Sequence, residues 1–323
     1  MRRRSFIVLL GGAAGWSLAA RAQPKAMPMV VGSLAAASFI FDDDAFPPRL
    51  HAAMQAAGWQ RGRDYRLVVR SGDGTNEAYP ALVRELIALQ PSVIVPFGDG
   101  AIRAVQAATT TIPVSAMADD MVGSGLVASM AHPGGNTTGV SILASELDTK
   151  RLGLLHEAAP NAARLGVLAD PTTISTRAEL ERGARQIGVD LLFGSGQSPD
   201  EMIAAINTMA DAGIGGLNVL ASPLLHSARA QIMAAAARHH LPAIYQWPEQ
   251  AGEGGLLAYG PRLTGCLQLL AEQTVRVLQG GRPADLPVQQ PTKFAFVVNL
   301  RTAKALGLAV PQSILARADE VIE

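Results

Sequence analysis

Beyond its first two dozen residues, the chain alternates between short apolar runs and longer segments whose apolar positions recur at helical spacing. Residues 29–34 (MVVGSL) predict a strand, 45–57 a helix stopped by Gly58, and 65–70 (YRLVVR) a second strand. In 77–89, Leu82, Leu86 and Leu89 stand at i, i+4 and i+7, which is one face of a helix. Residues 92–97 (SVIVPF) read as a third strand, 101–108 as a helix and 112–117 (IPVSAM) as a fourth strand. The alternation restarts after Val140: helix 151–159, strand 164–170, helix 176–187 and strand 189–194. Ser198-Pro199-Asp200-Glu201 is a capping box with proline at the first helical position, so a helix starts at Pro199. Strand 215–222, a helix up to His240, and strands 242–246 and 254–260 continue the pattern.

Apolar strands separated by helices predict parallel sheets of βαβ units, and two rounds of the pattern predict two similar domains. The architecture expected is α/β: two similar three-layer α/β/α lobes with mainly parallel sheets, hinged around a central cleft. A long helix (263–278), the strand 294–299 (FAFVVN) and a short helix ending at Gly307 follow, and they are expected to return and complete the lobes. The boundaries that follow are 23–143 plus about 262–290 for the first lobe, and 144–261 plus about 291–323 for the second. In open α/β sheets, ligands bind beyond the carboxyl ends of the strands.

The first 22 residues stand apart from this pattern. Arg2–Arg4, an apolar stretch from Phe6 to Ala20, and Ala20-Arg21-Ala22 have the order of a cleavable export signal, with cleavage after Ala22. Arg3-Arg4-Ser5-Phe6-Ile7 also reads as a twin-arginine signal, while about 15 apolar residues are few for a membrane span. Removing the segment takes away four arginines and no acids, so the formal net charge of zero becomes about −4. With no basic run interleaved with aromatics, nucleic acid is not an expected partner.

The search for catalytic machinery yields little. The chain has no Gly-x-Ser-x-Gly elbow and no Gly-Lys-Ser/Thr phosphate loop, and its six histidines lack metal-ligand spacing. Gly98-Asp99-Gly100 places Arg103 where a dinucleotide fingerprint needs its third glycine, and it follows the third strand rather than the first. The lone Cys266, in an apolar helical stretch, reads as a small buried hydrophobe. No cofactor and no metal are expected.

Several longer stretches carry a family resemblance: ATTTIPVSA (108–116), GLVASMAHPGGNTTGVSIL (125–143), KRLGLLHEAAPNAARLGVL (150–168), RHHLPAIY (238–245), GGLLAYGP (254–261) and the last thirty-three residues. Together they resemble the substrate-binding proteins of ABC transporters related to the tryptophan-binding type. The resemblance implies a fold like the type I periplasmic binding proteins and a monomer in the periplasm. Such a protein closes on a small molecule and hands it to a membrane permease. Other readings are the ligand-binding part of a sensor, or an exported oxidoreductase or other nucleotide-using enzyme. On such a fold, the ligand-facing loops of the first lobe would carry Ser33 and Ala35, then Phe97, Gly98, Asp99 and Gly100, then Asp119 and Asp120. Those of the second would carry Asp170, Thr172 and Thr173, then Ser222, then Tyr245, with Tyr259 near a crossover. Ser33, Thr172, Thr173 and Ser222 read equally as turn or cap residues, and Tyr245 and Tyr259 as packing between lobes.

The sequence departs from the family pattern where relatives usually carry a small hydroxyl residue and then proline; this chain has Asp99-Gly100. It also has Met121 where a proline usually follows the aspartate, and Ser222 where an acid is common. An aspartate at that loop repels a ligand carboxylate, so a neutral polar or cationic ligand group is expected opposite Asp99. Equally, Asp99 reads as the cap of a helix beginning at Ala101.

Overall fold

The computed structural model describes residues 27–36, 40, 45–72, 77–143, 145–169 and 177–323. The expected leader lies outside them, as do Asp170, Thr172 and Thr173. In the first lobe β1 (Met29–Ala35), α1 (Phe46–Ala56), β2 (Tyr65–Ser71), α2 (Tyr79–Ala88), β3 (Val93–Pro96), α3 (Asp99–Ala108), β4 (Val114–Ala118) and β5 (Thr137–Ser141) follow one another. Their strands form a wholly parallel sheet in the order β2-β1-β3-β4-β5.

The second lobe comprises α4 (Asp148–Ala158), β6 (Arg164–Ala169), α5 (Arg177–Ile187), β7 (Asp190–Ser195), α6 (Pro199–Asp211) and β8 (Leu217–Val219), followed by α7 (Pro223–Ser227), α8 (Arg229–Arg238), β9 (Ala243–Tyr245), α9 (Pro248–Gly252) and β10 (Leu257–Pro261). The chain then adds α10 (Leu263–Leu278), β11 (Phe294–Asn299), α11 (Leu300–Ala305), α12 (Gln312–Leu315) and β12 (Glu320–Ile322). The second sheet has the order β12-β11-β10-β9-β8-β6-β7, and β10–β11 is its antiparallel pair.

Side-chain alternation along the strands builds the layers. Val93 and Val95 of β3 pack with Phe46, Leu50 and Met54 of α1 and with Leu267 and Leu270 of α10. Ile94 between them points the other way, toward Val83 and Leu86 of α2 and Ile102 and Val105 of α3. Both faces of the sheet are therefore apolar, as parallel sheets require. Each large side chain buried this way contributes about 1.5–3 kcal/mol relative to exposure.

Helix α6 starts where the sequence placed it, with Ser198 Oγ accepting from Glu201 N; the Glu201 carboxylate reaches back past the cap and accepts from Gln197 N at 2.8 Å. Three features differ from the sequence reading. Asp99 is the first residue of α3, so its helix begins two residues earlier than Ala101; Gly98 is the N-cap and no side chain caps it. The stretch up to His240 divides into α7 and α8 around Ala228. Finally β5, composed of Thr137, Thr138, Gly139, Val140 and Ser141, is a strand that apolar patterning did not find. Its hydroxyls are bonded internally: Thr138 Oγ1 donates to Leu286 O at 2.7 Å and Ser141 Oγ to Asp119 O at 2.9 Å. Only glycine fits at 139, because a Cβ there would lie 1.8 Å from Ala116 O.

The chain passes between the lobes at three places: after β5, between β10 and α10 at Arg262, and between Gln289 and β11. Before the last crossing Gln289 runs alongside β5, donating to Gly139 O (2.8 Å) and accepting from Ser141 N (2.9 Å).

Candidate functional site

The carboxyl ends of the parallel strands of both sheets meet where the lobes face each other. From the first come Ala35, Phe97-Gly98-Asp99 and Ala118–Asp120; from the second come Val219–Ser222 and Tyr245–Trp247. The two sides touch. A Cβ placed on Gly98 would lie 3.1 Å from Cγ of Pro223 in the opposite lobe. Trp247 and Ala221 of the second lobe belong to the same buried apolar cluster as Phe46 and Phe97 of the first. Phe46 and Phe97 meet edge to face at 5.3 Å, a favoured aromatic geometry. Gly98 has φ +83°, a backbone conformation that turns β3 sharply into α3 and that other residues adopt only with strain.

The sequence-predicted residues separate into groups. Ser33 is fully buried in β1 and its hydroxyl donates to Val95 O at 3.0 Å, so it ties two strands together. Ala35 is buried at the end of β1. Asp120 accepts from Val122 N (3.1 Å) and Gly123 N (2.8 Å), which shapes the turn after β4. Ser222 caps α7 by accepting from Leu224 N (3.1 Å) and Leu225 N (3.3 Å). Tyr245 is wholly buried, its ring so near Gly255 that a Cβ there would lie 2.8 Å from Cδ2, and that burial raises its phenol pKa. Tyr259 packs edge to face on Phe296 at 6.4 Å, with the Lys150 ammonium 4.1 Å from its ring centroid. Phe97, Gly98, Asp99 and Gly100 remain at the mouth, where Asp99 and Gly100 are half-buried, as is Asp119 nearby.

The structure adds residues that the sequence reading passed over. Trp247, Gln246 and His226 surround a cavity of about 10 Å³ beside Ser222, room for about one water molecule. His226 packs edge to face with Trp247 at 6.5 Å, and burial, with the nearby Arg229 charge, pushes its pKa down to about 3. It is therefore a neutral wall. At the first crossover Asp148 and Arg151 form a buried ion pair on the opening turn of α4. Charged residues three apart on a helix ordinarily suggest a solvated face, so no sequence signal marked them. Among the described residues, no group of three or more His, Cys, Asp or Glu side chains could hold a metal ion.

Two α/β lobes joined by three crossovers around a cleft at the strand ends define a hinged, two-lobed binding protein. The family model "ABC transporter substrate binding protein" matches residues 48–322, and the chain belongs to that family. A curated tyrosine-binding protein from Clostridioides difficile (strain R20291) is 22% identical over 263 residues, 79% of this chain and 74% of that one. A conserved domain protein from Vibrio cholerae has a TM-score of 0.83 at 23% identity, covering 91% of this chain and 99% of its own. The Streptococcus pneumoniae ABC domain in complex with L-Trp has a TM-score of 0.77 at 20% identity, covering 91% and 100%. These matches agree with the resemblance and with the two-lobed α/β fold; the family is one of solute-binding proteins that are typically extracellular or periplasmic.

Proposed function

We propose that the mature protein, exported by a leader cleaved after Ala22, captures a small molecule between its lobes by hinge closure and delivers it to an ABC permease. The observation that carries the closure reading is the shared cluster of Phe46 and Phe97 with Trp247 and Ala221, drawn from opposite lobes. A ligand that bridges those surfaces stabilises the closed arrangement by its contacts to both sides.

The ligand we favour has a flat apolar part for the Phe46, Phe97 and Trp247 surfaces and a neutral polar or cationic group toward Asp99. Relatives are named for L-Trp and tyrosine, whose carboxylates need a donor-rich loop. A half-buried Asp99 at that loop opposes a carboxylate by about 4 kcal/mol at 4 Å with an effective dielectric constant of 20. Thermal-shift measurements on the mature protein with L-tryptophan, L-tyrosine, tryptamine, tyramine and a panel of polyols test this. A true ligand at a hundred times its dissociation constant adds about 2.7 kcal/mol. The amines should outrank their amino acids, and Asp99→Ser should reverse the order. Tight binding of the amino acids to wild type, unchanged in Asp99→Ser, would overturn the ligand reading.

A further inference from the structure

The small cavity beside Trp247, between the ends of β8 and β9, is lined by amides that the chain itself leaves unused. Gln246 lies one residue beyond β9 and Gln250 lies in α9, and both line the cavity. Gln246 is only 5% exposed, yet among the described residues no hydrogen-bond partner reaches its side-chain amide. Gln250, 3% exposed, accepts from Trp247 N through its side-chain carbonyl at 2.9 Å, so its amino group is the end left to donate. Buried polar groups in folded proteins are nearly always hydrogen-bonded. Two amides lining one cavity therefore call for a partner from outside the chain.

The remaining walls decide what that partner can be. Val219, Leu220 and Leu225 are apolar, and Ser222 Oγ is engaged at the start of α7. His226 is neutral, since burial, with the Arg229 charge, lowers its pKa to about 3. The Arg229 charge is itself answered by Glu253 at 2.5 Å. Among the described residues no charged side chain lines the cavity, and its volume of about 10 Å³ admits about one non-hydrogen atom. A carboxylate is too large and would find no cation; an ammonium would find no acid. A hydroxyl both donates and accepts, which matches the Gln246 carbonyl and the Gln250 amino group.

We propose that this cavity is a specificity subsite of the interlobe cleft, in which Gln246 and Gln250 hold one uncharged hydroxyl carried on the flat part of the ligand. The subsite rests on the reading that a flat ligand lies against Phe46, Phe97 and Trp247, which share one buried cluster. It extends that ligand to both ends: a polar group toward Asp99 in the first lobe and a hydroxyl in the second. When the hydroxyl is missing, a water can take its place. Discrimination should then be about tenfold, rather than the roughly 10⁴-fold of a site that stays dry.

Calorimetric titration of the leaderless protein with tyramine, phenethylamine, L-tyrosine and L-phenylalanine tests the subsite apart from Asp99. The hydroxylated member of each pair should bind about tenfold tighter, whereas the ratio of amine to amino acid reports Asp99. Gln246→Met, which keeps the length of the side chain and loses its amide, should remove most of the hydroxyl preference and leave the ratio of amine to amino acid unchanged. Equal affinity within both pairs in wild type overturns the subsite, and so does a hydroxyl preference that survives in Gln246→Met. If none of the four binds, phenol and toluene decide, since neither brings a charge to Asp99. Phenol should then shift a glutamine side-chain amide resonance that is missing in Gln246→Met, and toluene should leave it in place. No shift, or the same shift with both, overturns the subsite.

Discussion

Replacing Gly98 by alanine separates closure from folding. The residue carries φ +83° and ψ 155°, a region that is essentially glycine-only, and an alanine there costs about 1–3 kcal/mol whether the lobes are open or closed. Its Cβ would also stand 3.1 Å from Pro223 Cγ, a contact that exists only while the lobes meet. Overpacking of this kind costs about 1–3 kcal/mol, which corresponds to roughly a 5- to 150-fold weaker ligand affinity. The assay is a pair of measurements on each variant: urea unfolding for the backbone strain, and calorimetric titration with the first ligand that the thermal-shift panel returns. Gly98→Ala should lose both stability and affinity. In the double variant Gly98→Ala/Pro223→Ala, affinity should recover while the backbone strain remains, because the offending ring carbons are gone and the dihedral is unchanged. Undiminished affinity in Gly98→Ala, or no recovery in the double variant, refutes the view that these loops close on one another.

Among the described residues the tryptophans are Trp59, half-buried in the first lobe, and Trp247 between the lobes, so in the mature protein proposed above Trp247 should dominate any fluorescence change on ligand addition; Trp247→Phe should abolish it. Ser222→Ala removes the acceptor for two α7 N–H groups and should lower urea stability by about 1 kcal/mol. Asp148 has a pKa raised in the folded state, so its contribution to stability declines as pH rises from about 4 to 6 and is level above that; unfolding at pH 4.5 and 7 should show this slope, and Asp148→Asn should lack it. Gly139→Ala forces Ala116 O away from 1.8 Å and should yield no folded protein, read as loss of the soluble fraction on expression.

The two-lobed α/β fold was legible because strands buried on both faces must be apolar throughout, as in Val93–Pro96, and because Gly58 and the Ser198 box mark helix ends. Strand β5 was not, since it is lined with hydroxyls whose partners lie elsewhere in the chain: Ser141 bonds back to Asp119, and Thr138 finds Leu286 only 148 residues later. Within the site, the sequence pointed to the loops after the strands but not to which of their side chains turns inward, because that depends on how the chain bends beyond the strand end. Tyr245, which the sequence offered both as a ligand-facing and as a packing residue, is wholly buried, while Trp247 at the start of α9 shares an apolar cluster with Phe46 and Phe97 of the first lobe. Asp148 and Arg151 resemble any charged helix pair until the topology buries them.

The helix α10 has a consequence for how the molecule is made. It supplies Cys266, Leu267, Leu270 and Ala271 to the core under α1, β3 and β4, yet it follows the entire strand set β6–β10 in the chain. The first lobe therefore cannot finish its interior while it emerges from the ribosome; one sheet face stays only partly covered, by α1, until the other lobe has been synthesised. The second sheet in turn waits for β11 and β12, beyond residue 293. Neither half is an autonomous folding unit in chain order. Truncation after Pro261 removes α10 from the layer it shares with α1 in one lobe and two strands from the other, so the contacts that complete each lobe form late, at long sequence separation.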